Sequence, residues 1–272
     1  MKTILRSMAL LGTLCATSSG WAGPISQWYL TAGDQGTNWT AQGGSATSFA
    51  QQHPQNGGEY AIAVTSNVKT LGNGNCNGSA CTLGSQYSLA GVYTGTDYLY
   101  PPVQASFYDG ASDGSKIYSV DYSGGGVYSF DGNWANPALL FRVNPSNLGI
   151  TYDSSDGTLW ISQFGGNQVQ HYALDGTLLG QFGAAQSALT SLALDSADGT
   201  LWMGSQNTMG TFYQYSKSGV LLATETYANM ANQNTLGGEF AVGASHVPEP
   251  ASLALLALGL AGLGVMRSRQ PS

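Results

Sequence analysis

Asp153-Ser-Ser-Asp-Gly-Thr-Leu-Trp160 recurs 42 residues later as Asp195-Ser-Ala-Asp-Gly-Thr-Leu-Trp202. A looser copy, Asp113-Gly-Ser-Lys-Ile-Tyr118, has its Asp-Gly 43 residues before the Asp156-Gly of the first. Each copy follows an apolar stretch ending in Asp: Phe107-Tyr-Asp109, Ile150-Thr-Tyr-Asp153 and Leu192-Ala-Leu-Asp195. Downstream of each come a hairpin (Tyr128-Ser-Phe-Asp-Gly132, Tyr172-Ala-Leu-Asp-Gly176, Tyr215-Ser-Lys-Ser-Gly219) and a final apolar piece (Ala138–Phe141, Thr177–Phe182, Val220–Ala223). Four short strands per repeat, joined by Asp-Gly turns, predict the blade of an all-β propeller. Between the two termini no segment sustains a 3.6-residue apolar period.

A propeller ring has to close, since an open one exposes unpaired strand edges. Gly57-Gly-Glu-Tyr-Ala-Ile62 matches Gly237-Gly-Glu-Phe-Ala-Val242, and both read as innermost strands. The late copy, 237–242, is expected to complete a blade whose other strands are Gln27–Leu30, Asn38–Thr40 and Ser48–Ala50. Innermost strands then end near Ile62, Tyr108, Tyr152, Leu194 and Val242, at steps of 42 to 48 residues. Five blades follow. Six stays open, because the stretch from 62 to 108 is irregular.

The ends of the chain carry addresses. Lys2 and Arg6 precede an apolar run from Met8 to Ala16, and Ser18–Ala22 ends in small residues, so residues 1–22 read as a signal peptide removed by signal peptidase. At the other end Val247-Pro248-Glu249-Pro250 precedes the uncharged stretch 251–266, and Arg267 and Arg269 follow. The prolines cannot continue a helix backwards, so a helix is predicted over 251–266. At 1.5 Å per residue it spans roughly 24 Å against a hydrocarbon core of about 30 Å, and the arginines mark its cytoplasmic end. Proline plug, short transmembrane helix and basic stop together resemble the PEP-CTERM sorting tail, over 247–272. That resemblance implies a Gram-negative, exopolysaccharide-making host, an exosortase as processing partner, and transient membrane anchoring before release to the cell surface or matrix. The ectodomain is left as residues 23–246.

Setting aside Lys2, Arg6, Arg267, Arg269 and Glu249, the ectodomain holds four basic residues against 14 acids. Phosphate binding requires clustered Lys and Arg, so nucleic acid is excluded as a partner. Charged residues make up only 8% of the chain, and Gly, Ser, Thr, Asn, Gln and Tyr take over the surface. Cys76 and Cys81, in a Gly/Asn-rich loop of an exported chain, are expected to form a disulfide.

Chemistry is harder to find. The recurring acids Asp153, Asp156, Asp195 and Asp198 are weak candidates for calcium, since each turn supplies part of a six-to-eight-oxygen shell. Asp109 and Asp113 form a similar turn, and the plainer reading of all three is a tight Asp-Gly connection. His171 alone of the three histidines belongs to the repeat, with Val127 and Gln214 as its expected counterparts. Trp160 and Trp202, at equivalent positions, are expected in the core. Tyr98, Tyr100, Tyr108, Tyr118, Tyr122 and Tyr128 could include exposed rings that stack on sugars, although strands favour Tyr in any case. No nucleophile elbow, HExxH or phosphate loop occurs. The Asp-Gly-Thr-Leu-Trp turns at 156–160 and 198–202 resemble NHL-like and streptogramin-lyase-like propellers, which implies fold and not activity. The expectation is therefore a non-catalytic binding or structural propeller. The competing reading is a polysaccharide lyase or lactonase-like hydrolase using channel acids and a metal.

Overall fold

A computed structural model describes residues 23–72 and 83–241. The signal segment, the Cys76/Cys81 pair and the tail with its 251–266 helix lie outside the described residues. Among the described residues no helix is long and apolar enough to cross a membrane.

Twenty strands form five four-stranded antiparallel blades. Blade I contains β1 (Trp28–Ala32), β2 (Thr37–Gln42) and β3 (Ser45–Ala50). Blade II is β4 (Glu59–Val64), β5 (Val68–Gly72), β6 (Gly84–Tyr87) and β7 (Tyr93–Tyr98). Blade III is β8 (Ala111–Ser112), β9 (Lys116–Val120), β10 (Gly126–Asp131) and β11 (Ala138–Arg142). Blade IV is β12 (Asn147–Asp153), β13 (Thr158–Gln163), β14 (Gln168–Tyr172) and β15 (Leu178–Gly183). Blade V is β16 (Leu189–Asp195), β17 (Thr200–Ser205), β18 (Thr211–Tyr215) and β19 (Leu221–Thr226), and β20 (Gly238–Phe240) returns to blade I.

The sequence pattern tracks depth. Inner strands such as β16 are buried along their whole length, whereas the outermost β19 alternates exposed and half-buried residues. A strand covered on both faces needs a near-continuous apolar run. Aromatic side chains fill the gaps between blades. Trp28 stacks on Phe240 at 5.5 Å and meets Phe212 edge-on at 4.9 Å, filling the seam between blades V and I. Trp202 lies in the same cluster, and Trp160 packs between blades IV and V.

The ring closes as the repeat predicted. β20 pairs antiparallel with β1, Trp28 opposite Phe240 and Leu30 opposite Gly238. The strand is shorter than the predicted 237–242, and a second device crosses the same seam. Ile25 N and Ser26 N donate to Asp195 Oδ2 at 3.1 and 3.0 Å, and Ser26 Oγ donates to Oδ1 at 2.6 Å. Gly43 N donates to Pro24 O on the other side. Residues just after the predicted signal cleavage point therefore strap blade V to blade I.

Two sequence alignments need correction. In blade III the turn aspartate is Asp113, not Asp109: Ala111 pairs with Tyr118 as Thr151 pairs with Trp160. Asp113 Oδ1 accepts from Ser115 N and Lys116 N, closing its own hairpin. Asp109 lies four residues earlier, at the level of Gly149, on the propeller axis. The counterpart of His171 is likewise Ser129, since Tyr118 pairs with Ser129 and Val127 with Val120.

Candidate functional site

Inner strands all enter the ring from one face, and the residues that precede them meet there. Tyr60, Leu148 and Leu236 form a buried cluster with half-buried Tyr108, Tyr122 and Phe164. Adding Gln206 and Asn234, these side chains line a cavity of about 240 Å³ to which every blade or its connection contributes. The rings form a continuous arc: Tyr60 to Tyr108 at 5.3 Å, Tyr108 to Tyr122 at 5.5 Å, Tyr122 to Phe164 at 5.8 Å, all steeply inclined to one another. Edge-to-face contacts of this kind fix each ring, at about 0.5–1.5 kcal/mol per pair beyond simple burial. Leu148 and Leu236 complete the apolar lining, and two carboxamides add polar groups. Asn234 Oδ1 is buried with no hydrogen-bond partner, and Gln206 is exposed at the rim. No carboxylate, imidazole or ammonium lines the cavity.

The axis below is closed by a carboxylate. Asp109 is fully buried, and it accepts amide hydrogens from Gly238 (2.8 Å) and Gly110 (2.9 Å) on Oδ1 and from Ile150 (3.1 Å) on Oδ2. The Leu192 amide is a further donor. Those four residues belong to the innermost segments of blades I, III, IV and V, so their amides converge on one carboxyl. Burial pushes Asp109 up, while the amides pull the other way by favouring its charged form. Glu239 projects toward the same axis. It is raised by burial and by the charge of Asp109; Oε1 accepts from Phe240 N at 3.1 Å and Oε2 has no partner. Two carboxyls in one dry space cannot both ionise. Asp109 has the larger donor set, four amides against two amides and one hydroxyl at Glu239, and its charge adds to burial in raising Glu239.

On the opposite face lie the repeated turns. Asp153, Asp156 and His171 each place a ligand-type atom within 4.8 Å of the others. Lys217 Nζ nevertheless sits 2.5 Å from Asp153 Oδ2, while Ser155 and the Trp160 indole N–H occupy the rest of that carboxylate. Burial pushes Asp153 up, but Lys217 and these donors outweigh it and hold the carboxyl below the usual range. The positive charge that calcium would bring is thus already supplied by the next blade. His171 stacks flat on Trp160 at 4.1 Å and shares a 2.6 Å hydrogen bond with Thr158 Oγ1, and burial lowers its pKa. In blade V, Gln214 does the same work toward Thr200 and Asp198, while Asp195 grips the N-terminal strap. Lys217 and Ser26 thus clasp Asp153 and Asp195 across blade boundaries, while Gln214 holds Asp198 within blade V.

Of the six tyrosines singled out in the sequence, Tyr108 and Tyr122 reach the pocket. Tyr118 stacks on Tyr152 and donates to Asp113, Tyr98 donates to Gln86, and Tyr100 and Tyr128 pack on Phe107. Tyr60, Leu148, Phe164, Gln206, Asn234 and Leu236 were missed. A signal for three of the lining residues was present: Tyr122, Phe164 and Gln206 are spaced by 42 residues, each just beyond a second strand.

The model of the PEP-CTERM protein-sorting motif matches residues 246–270. The chain ends in an exosortase sorting signal. It marks an exported protein directed to the cell envelope or surface, with exosortase as the implied processing enzyme. No curated protein matches the chain in sequence. A chain of the nidogen/laminin complex superposes with a TM-score of 0.53 at 12% identity, covering 79% of this chain and 97% of that one. Myxococcus xanthus glutaminyl cyclase (TM-score 0.48, 15% identity, 63% and 71% covered) is also similar. So is virginiamycin B lyase from Staphylococcus aureus (0.45, 12%, 73% and 69%). These likenesses concern the fold alone.

Proposed function

We propose that the sorted protein is a non-catalytic, carbohydrate-binding propeller, acting at the cell surface or in the extracellular matrix of an exopolysaccharide-producing Gram-negative bacterium. The observation that carries this reading is the uncharged axial cup, in which aromatic rings and two leucines are joined by the carboxamides of Gln206 and Asn234. Sugars offer apolar C–H faces and hydroxyl groups, and a flat ring beside an amide matches both. Orientation supports it. β20 runs from Leu236 at the cup toward Phe240 at the opposite face, where the Ile25–Ser26 strap also lies. The first and last described residues therefore lie toward the face away from the cup, which suits a protein held by its tail with the cup outward.

The competing enzymatic reading has one observation in its favour: Asp109 and Glu239 are paired acids with raised pKa values on the axis, an arrangement often found at active sites. Both lie beneath the cup, at 0% and 4% exposure, and neither lines it. Binding is the better supported role. The test is retention of the full-length chain, kept in detergent, on the host's own extracellular polymer. Tyr122→Ala should weaken retention about tenfold, and mass spectrometry should find the polymer unshortened; cleavage products that vanish in Asp109→Asn would establish the enzyme instead.

A further inference from the structure

We infer, on the carbohydrate reading above, that the cup captures the end of a glycan chain, one terminal or branch-tip sugar at a time, and cannot bind along its length. The argument is steric. Amides of Gly238, Gly110 and Ile150 lie 2.8 to 3.1 Å from a single carboxylate, so the channel at that level is no wider than Asp109 itself. Gly237 leaves no more room: a Cβ there would stand 2.6 Å from Tyr60 O and 3.0 Å from Tyr108 O. Nothing threads the axis, and the cup is blind. Its volume, about 240 Å³, falls below the roughly 300–1,000 Å³ usual for pockets that enclose a drug-sized ligand. One sugar ring is the unit of that size.

Chemistry sets the class of sugar. A carboxylate-bearing residue such as a uronic acid would enter a cup whose lining holds no cation, with its charge desolvated and unpaired. A neutral ring meets no such cost. Its hydroxyls supply the donor that Asn234 Oδ1 lacks, and an acceptor for the Gln206 amide. The aromatic arc of Tyr108, Tyr122 and Phe164 takes the C–H face.

End capture predicts a stoichiometry that side-on binding does not. The probe is the producing organism's neutral extracellular polysaccharide, cut by partial acid hydrolysis into fractions of known mean length. Sites per gram for the full-length chain, measured by calorimetry, should rise in inverse proportion to chain length. Asn234→Ala and Tyr122→Ala should each weaken binding about tenfold, while Tyr122→Phe, which keeps the ring, should stay within about threefold. A capacity per gram independent of length would overturn end capture and leave the binding module standing. No binding to any fraction by protein with native circular dichroism would overturn the carbohydrate reading itself. Tighter binding of an acidic fraction would overturn the neutral assignment.

Discussion

Two segments of this chain read almost alike, Gly57-Gly-Glu59-Tyr and Gly237-Gly-Glu239-Phe, yet their glutamates live in opposite surroundings. Glu59 opens β4 and turns into the gap between blades I and II. Its carboxylate accepts from Tyr87 OH (2.7 Å), Thr70 Oγ1 (2.7 Å) and Asn38 Nδ2 (3.2 Å), with His53 N at 3.4 Å. Glu239 sits mid-strand in β20 and faces the axis, where the Phe240 and Ser112 amides and the Thr151 hydroxyl are its donors and the charge of Asp109 lies beside it. The two segments are offset along the channel: Leu236, before the second Gly-Gly, lies beside Tyr60, after the first. Identical residues bury one carboxyl ringed by side-chain donors and one whose pKa is raised by burial and by a neighbouring acid. The donors around a buried carboxyl decide which state it holds, whatever the motif that carries it.

The sharpest way to break the contrast is to remove Glu59. Glu59→Ala strands a phenol, a hydroxyl, a carboxamide and a backbone N–H in a dry gap between blades. The expected loss is about 3–5 kcal/mol in urea unfolding. A loss under about 1 kcal/mol would mean that water replaces the carboxylate, and the two glutamates would then be alike. Asp109 comes next. In Asp109→Asn one carboxylate oxygen becomes an NH₂ group pointed at amide donors, at a cost of about 2–3 kcal/mol by the same measurement. This change also removes the charge that holds Glu239 up, so Glu239→Gln should have a smaller effect in the Asp109→Asn background than in the native chain. A double-mutant cycle reads that coupling directly.

Glu239→Gln should move stability in the other direction. The folded-state pKa of Glu239 lies above its ordinary value of 4.5. Its protonated form therefore contributes stability that is present below that value and fades as pH rises through the folded pKa. Glutamine mimics the protonated acid at every pH. The variant should be more stable than the native chain at pH 8, with the difference closing as pH falls to 4.5 and below. Equal stability at both pH values would show that Glu239 is not the proton carrier of the pair.

Repeats made the architecture legible, and repeats also misled. A 42-residue period with Asp-Gly turns gave five blades, and the Gly-Gly-Glu echo pointed to strand closure, because blade spacing and an open edge are properties of the backbone. The same matching placed Asp109 in a turn. Blade III has a shorter hairpin, Asp113–Lys116, so its aspartate shifts by four residues and only pairing register exposes the change. The cup was harder still. Its residues come from inner-strand starts and from loops beyond second strands, in different blades, and side chains that meet across an axis leave no local pattern. Tyr122, Phe164 and Gln206 do share the 42-residue spacing, but they differ in chemistry, and a search for similar residues passes over them.

The smallest effect sharpens what holds Glu59. Tyr87 spans the gap: its hydroxyl donates to the Glu59 carboxylate and accepts from Gln52 N at 2.7 Å. Burial and the Glu59 charge both raise its pKa, so the hydroxyl keeps its proton throughout the ordinary range. Tyr87→Phe leaves the ring, which packs edge-on against Phe49 at 5.1 Å, and deletes one oxygen. The carboxylate keeps Thr70 and Asn38, so the expected loss is about 1–1.5 kcal/mol, well short of that for Glu59→Ala. A loss as large as that of Glu59→Ala would place the whole clasp in one phenolic hydrogen bond. No measurable loss would place it in Thr70 and Asn38, with Tyr87 serving as packing alone.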